Sequence, residues 1–281
     1  VTAGIAFTRQ DTTQSICASD RGHFSEVIFP MDVNSRMPVI EAKINGQGPY
    51  RFTLDTGFSG SLAISATLAD QMSLAEIEEI KVGDPSGRKP RTVRLFRADS
   101  ITIGSMNFNS IDIIESVLGD LINTDGLIGL SVFQELLVKF DYINKKIILC
   151  SGSLPINKSL VYTTEYGIPS IEISINHITL KVNIDSGSPA EISLPLNLAK
   201  SLPLSEEPKV VGHGRTLDGE FEVYSARLNG DVHVGEISIT NPHLNFTSVF
   251  PVGNLGSRFL KNLIVIFDPT NHRVQFEKID Y

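Results

Sequence analysis

The chain has 281 residues, 41% of them hydrophobic, which is enough for two cores of ordinary size. Its formal net charge of −8 argues against a nucleic-acid or anionic-membrane partner, and no apolar run approaches the roughly 18 residues of a membrane span. Six histidines (His23, His177, His213, His233, His243 and His272) are scattered with no pair at metal-ligand spacing, so neither a metal nor another cofactor is expected.

The sequence starts at Val1 with no Met and no basic-then-apolar leader, consistent with a removed signal peptide or a trimmed chain. That leaves the compartment open, with a periplasmic or secreted location as the expectation. Residues 1–24 are polar and non-periodic and read as an arm. Strand patterns follow at 27–31 and 37–44, and Asn45-Gly46 predicts a hairpin turn into a strand that ends at Asp55. A short helix is predicted over 65–72, with Leu68 and Met72 on one face. Residues 82–90 are dense in turn formers, and strands are expected at 100–104 and 111–114. The segment Asp125-Gly126-Leu127-Ile128-Gly129-Leu130 leads to a helical turn near 133–136. A hairpin at 138–141 and 146–149 then turns at Asn144-Lys145. Residues 151–160 read as a linker. Beyond it the order repeats: strands at 171–175 and 182–184, a turn-rich run at 212–219, a strand at 232–235, a turn at 254–256, and a last hairpin through Asp268 to Phe276.

The repeat is carried by residues. Leu54-Asp55-Thr56-Gly57 recurs as Ile184-Asp185-Ser186-Gly187, 130 positions later. At the same offset, Leu62-Ala63-Ile64-Ser65 is matched by Ile192-Ser193-Leu194-Pro195. Leu127-Ile128-Gly129 is echoed by Asn254-Leu255-Gly256, and Phe140-Asp141 and Phe267-Asp268 follow those glycines at equal spacing. A period this long is no solenoid; it predicts a tandem duplication with a core in each copy.

With two Asp-Thr/Ser-Gly turns and two apolar-Gly segments, each half resembles a pepsin/retropepsin-type aspartic protease lobe, nearest to the bacterial retropepsin-like proteins. The resemblance runs over about 37–149 and 168–278. It implies an all-β, bilobal, pepsin-like acid protease fold, with two β-barrel lobes about a pseudo-twofold axis and few short helices. The expected domains are an N-terminal arm (1–24), a first lobe (25–150), a linker (151–160) and a second lobe (161–281). Asp55 and Asp185 would be the catalytic pair of an aspartic endopeptidase, supported by Thr56, Gly57, Ser186, Gly187 and Ser188. The partner would be a peptide or protein substrate, and the chain a monomer with an internal pseudo-dimer.

The chemistry suits that pair. Like charges a few ångströms apart cannot both ionise cheaply, so two carboxyls in contact share one proton. The ionised member then takes a proton from water while the neutral one hydrogen-bonds the scissile carbonyl. Glycines at 57 and 187 let backbone N–H groups approach the carboxylates. By resemblance, the Thr56 and Ser186 hydroxyls bond across to the opposite lobe. Two departures predict an asymmetric pair: Phe58 stands where the family has a small residue, whereas Ser188 in the second copy is placed to donate to Asp185. Pro189 also removes a backbone donor. Both turn-rich runs are candidate flaps, giving Gly87, His213, Gly214 and Leu217 as substrate-binding residues. An exposed turn histidine remains the plainer reading of His213. Three alternatives stay open. The fold could bind peptide silently, with Phe58 blocking the water site; the Asp turns could pair between chains; and Cys17 and Cys150 could form a disulfide or stay as thiols.

Overall fold

The computed structural model describes residues 27–31, 37–83, 90–116, 123–165, 167–216 and 219–278, and strands dominate it. In the first half these are β1 (Val27–Pro30), β2 (Val39–Ile44), β3 (Gln47–Leu54), β4 (Leu62–Ile64), β5 (Ala75–Val82), β6 (Arg91–Ile103), β7 (Met106–Glu115), β8 (Gly126–Ile128), β9 (Leu137–Asp141) and β10 (Lys146–Cys150). Asn45 and Gly46 both take positive φ, 48° and 75°, and so make the tight turn between β2 and β3. Helix α1 (Ala66–Gln71) starts where the Ser65 hydroxyl accepts the Leu68 N–H at 3.2 Å, and it buries Ala69. The order β2-β3-β8-β4-β7-β6 returns to β2 through Ile44 and Ile101, closing a six-stranded barrel with β5 outside on β6. Alternation fills it: Ile40, Ala42 and Ile44 of β2 point inward with Phe52, Leu54, Phe96 and Ile101.

The second half contains β11 (Leu160–Val161), β12 (Thr163–Glu165), β13 (Ile168–Ile175), β14 (Ile178–Asp185), β15 (Ile192–Pro195), β16 (Lys209–Thr216), β17 (Gly219–Arg227), β18 (Asp231–Val234), β19 (Ile237–Thr240), β20 (His243–Thr247), β21 (Gly253–Gly256), helix α2 (Ser257–Leu260), β22 (Leu263–Asp268) and β23 (Arg273–Lys278). Its sheet runs β16-β17-β20-β15-β21-β14-β13-β18-β19, so β13, β14, β21, β15, β20 and β17 follow one another as β2, β3, β8, β4, β7 and β6 do. The long β6 has no unbroken equivalent. The chain leaves β17 at Arg227 and passes Gly230 at φ 149°. It restarts as β18, which meets β13 at Ile175 and Val232. Asn176 stitches the break by accepting the Asp231 N–H at 3.0 Å.

A third sheet, β1-β10-β9-β22-β23-β11, is built by both halves. At its centre Val138 pairs with Phe267 and Phe140 with Val265. Val138 and Val265 are counterparts in the repeat, as are Phe140 and Phe267, so this crossed pairing is what a local twofold axis between β9 and β22 produces. The Phe140 and Phe267 rings meet edge to face at 5.6 Å. The repeated Asp141 and Asp268 cap the next turns, accepting the N–H groups of Asn144 at 2.9 Å and Asn271 at 3.0 Å. Leu154, in the expected linker, is buried with Leu137, Cys150 and Ile266.

Most strands lie where the sequence placed them, but several differ. The segment at 254–256 is strand β21 rather than a turn, because it pairs with β14 on one side and β15 on the other. The helical turn expected at 133–136 lies at Leu130–Phe133. Residues 212–216 of the second turn-rich run belong to strand β16. Cys150 is disulfide-bonded; Cys17 and the arm 1–24 lie outside the described residues.

Candidate active site

Strand β3 runs parallel to β8 and delivers Asp55, whose N–H bonds the Ile128 carbonyl at 2.8 Å. Strand β14 runs parallel to β21 and carries Asp185, which pairs with Gly256. In each half a second strand, β4 or β15, returns antiparallel on the other side of β8 or β21. The chain therefore crosses itself at Gly129 and Gly256. A Cβ on Gly129 would collide with the Gly60 carbonyl, and one on Gly256 with the Ala190 carbonyl. These glycines hold the two Asp turns against the sheet.

The turns are locked to each other by a reciprocal set of buried hydrogen bonds. The Thr56 hydroxyl donates to the Ile184 carbonyl at 2.7 Å and accepts the Ser186 N–H at 2.9 Å. The Ser186 hydroxyl donates to the Leu54 carbonyl at 2.6 Å and accepts the Thr56 N–H at 3.0 Å. Every donor and acceptor of the two hydroxyls that faces the other half is used, and both residues are 1% exposed.

This clasp brings the Asp55 and Asp185 carboxyls into hydrogen-bond contact. Both residues keep some exposure. Burial pushes the Asp55 carboxyl well above its usual range, and the Asp185 charge beside it acts in the same direction. Burial also raises Asp185, but the Asn254 amide, Asp55, and the Gly187 and Ser188 N–H groups pull it back. The Gly57 N–H donates to Asp55 Oδ1 at 2.8 Å. A Cβ on Gly57 would fall 2.5 Å from Asp185 Cγ, and one on Gly187 would collide with the Asp55 carboxyl. Only glycine leaves room for the crossed carboxylates.

Four further residues bear on the pair. The Ser188 hydroxyl accepts the Ala190 N–H at 3.4 Å, and Asn254 supplies a side-chain donor to Asp185, its Nδ2 lying 3.0 Å from Oδ2. The signal for Asn254 was a polar residue where the first copy has Leu127. The far end of the Phe58 ring folds back over Gly60, where a Cβ would meet Cζ at 2.5 Å. Tyr142, just past β9, was also missed. Its hydroxyl is buried with no partner among the described residues. Burial, then the Asp185 and Asp55 charges, holds it far above its usual range. It stays a neutral phenol near the pair.

Two of the four flap candidates lie on strand β16 and its hairpin. Gly87 and Leu217 lie outside the described residues. His213 is exposed on β16 opposite Glu222, and Gly214 lies opposite Phe221, whose ring fills the place of a Cβ there. β17, β20, β15 and β21 separate β16 from β14 in the sheet. His213 belongs to the β16–β17 hairpin, whose counterpart in the first half is the β5–β6 pair.

Residues 40–132 match the family model for aspartyl proteases. The match spans β2 to β8, including Asp55 and Gly129, and ends ahead of the second half. No curated protein matches the chain. Among the described residues no helix is long and apolar enough to cross a membrane.

Proposed function

We propose, on the match of residues 40–132 to the aspartyl protease family model, that the chain is an aspartic endopeptidase acting on peptides, with Asp55 and Asp185 as its catalytic pair. One observation carries the reading: two carboxyls from separate sheets touch, held by a clasp whose every bond crosses between the halves. In the reaction, the ionised carboxylate takes a proton from a water as its oxygen bonds to the peptide carbon. The protonated carboxyl gives its proton to the carbonyl oxygen, yielding a neutral diol. Proton transfer to the amide nitrogen and breakage of the C–N bond then release two peptides and restore the shared proton.

The tandem origin, the limits of the two lobes and the monomeric state belong to the same proposal. The repeated strand order and the crossed β9–β22 pairing support the first, and a clasp completed within one chain supports the last. The position of the Phe58 ring over Gly60 favours turnover over silent peptide binding. Incubation with a diverse peptide mixture from acidic to neutral pH, read by mass spectrometry beside Asp185→Asn, tests the reading. Cleavage by the wild type alone is expected. Folded protein that binds peptides and cuts none at any pH would replace an enzyme with a binder.

A further inference from the structure

Asp55 and Asp185 occupy equivalent turns, yet their donors differ. Asp55 accepts from Gly57 N–H at 2.8 Å and also faces Gly187 N–H. Asp185 accepts from the Gly187 and Ser188 N–H groups and, in addition, from Asn254 Nδ2. Asn254 pairs with Asn183 on β14, two residues ahead of Asp185. The matching position, paired with Thr53 two residues ahead of Asp55, is Leu127, which is buried and has nothing to donate. The Thr56 and Ser186 hydroxyls spend their protons on the Ile184 and Leu54 carbonyls. Among the described residues the first half therefore has no counterpart to the Asn254 bond.

We propose that Asn254 is a positioning residue that makes Asp185 the ionised member of the pair and leaves the shared proton on Asp55. This rests on the reading of the two carboxyls as a catalytic dyad. The amide itself carries the argument. Its Oδ1 is buried with no partner among the described residues, an arrangement that weakens a fold unless the other end of the amide makes a strong bond. A charged carboxylate supplies that bond. Turned over, the amide would set Oδ1 against Asp185 Oδ2, acceptor against acceptor, unless Asp185 held the proton. Amide orientation and the charge on Asp185 are thus one choice.

The other groups around Asp185 leave this choice to Asn254. Tyr142 is held neutral. Lys181 on β14, Glu172 opposite it on β13, Glu191 ahead of β15 and Arg258 on α2 are the charged residues of the elements packed on β14 and β21, and none is among the groups that move the Asp185 carboxyl. Asp185 would accordingly activate the water, and Asp55 would protonate the carbonyl.

The test titrates the wild-type protein with 13C-labelled Asp carboxyls, followed by NMR and assigned with Asp55→Asn and Asp185→Asn. Two coupled steps are expected, with Asp185 leading the acidic one and Asp55 the later one. Coupled steps led by Asp55 would overturn the role of Asn254 while leaving the dyad intact. Two independent, ordinary titrations would overturn both. Asn254→Leu, which copies Leu127, adds a kinetic readout. The acidic limb of kcat/KM should move up by about one pH unit, because the ionised Asp185 has lost a donor. The alkaline limb should stay, since Asp185 is charged on both sides of that step. A uniform drop in rate with both limbs unmoved would mark Asn254 as merely structural and sink the proposal.

Discussion

In both halves a strand delivers an Asp into a turn whose fourth residue returns its N–H to the Asp carbonyl, Phe58 at 3.3 Å and Ser188 at 3.2 Å. A parallel strand and an antiparallel strand flank each turn, and a glycine closes each crossing. The side chains do not follow this symmetry. Leu127 faces Asn254 across the repeat, Phe58 faces Ser188, and an unbroken β6 faces β17 and β18. Backbone that must meet its partner half is repeated closely, because a clasp of reciprocal bonds works only if both turns match. Side chains around the carboxyls are free to diverge, and two carboxyls sharing one proton need some difference to assign their roles.

The comparison breaks most severely at the glycines. Gly57→Ala would place a methyl 2.5 Å from Asp185 Cγ, and Gly187→Ala would drive one into the Asp55 carboxyl. Each should separate the pair and lower kcat/KM by about 10³-fold or more, with circular dichroism showing folded protein. Retained activity in either variant would mean that the carboxyls work without touching.

The clasp comes next. Thr56→Val strands the Ile184 carbonyl and the Ser186 N–H, and Ser186→Ala strands the Leu54 carbonyl and the Thr56 N–H. Each loss should destabilise the protein by about 2–4 kcal/mol. Denaturant unfolding should give nearly equal values. A large inequality would show that one half carries the clasp alone.

Stability should also depend on the pair through pH. Both carboxyls have folded-state pKa values raised above the unfolded range near 3.9. The folded protein therefore holds more protons than the unfolded chain in that window, and stability falls as pH rises through the raised values. Asp55→Asn removes one of these carboxyls. Its stability relative to the wild type should rise between pH 3 and pH 7 (roughly the window these directions define). Thermal melts that shift in parallel at both pH values would show that the carboxyls are not strained by burial.

The Asp turns were legible in the sequence because a repeated four-residue motif fixes a local geometry twice. Strand β5 carries little pattern of its own: Glu76, Glu78 and Glu79 leave it exposed and charged, and it exists because β6 supplies a partner. The shared sheet was equally hidden. Each terminal hairpin reads correctly by itself, but nothing in either pattern says that β9 will pair with β22, more than a hundred residues away. At the site, Asn254 was visible as the odd member of an echoed tripeptide. Its contact with Asp185 needed the parallel register of β14 and β21. Ser188 shows the same limit from the other side: its hydroxyl accepts the Ala190 N–H, a local bond that the motif did not announce.

Phe58 sharpens the comparison with the smallest expected effect. Phe58→Ser gives the first turn the residue of the second, and if residue 58 governed the dyad this would make the two carboxyls alike. The Ser188 hydroxyl accepts the Ala190 N–H in its own turn, so a serine at 58 should find the same local bond. The pH limbs should stay in place and kcat/KM should remain within about threefold of the wild type, with stability lowered by about 1 kcal/mol for the half-buried ring. A gain of about tenfold or more would mean instead that the ring reaches the water position. The asymmetry of the pair would then originate at residue 58, and the wild-type chain would be better read as a peptide binder held back from turnover.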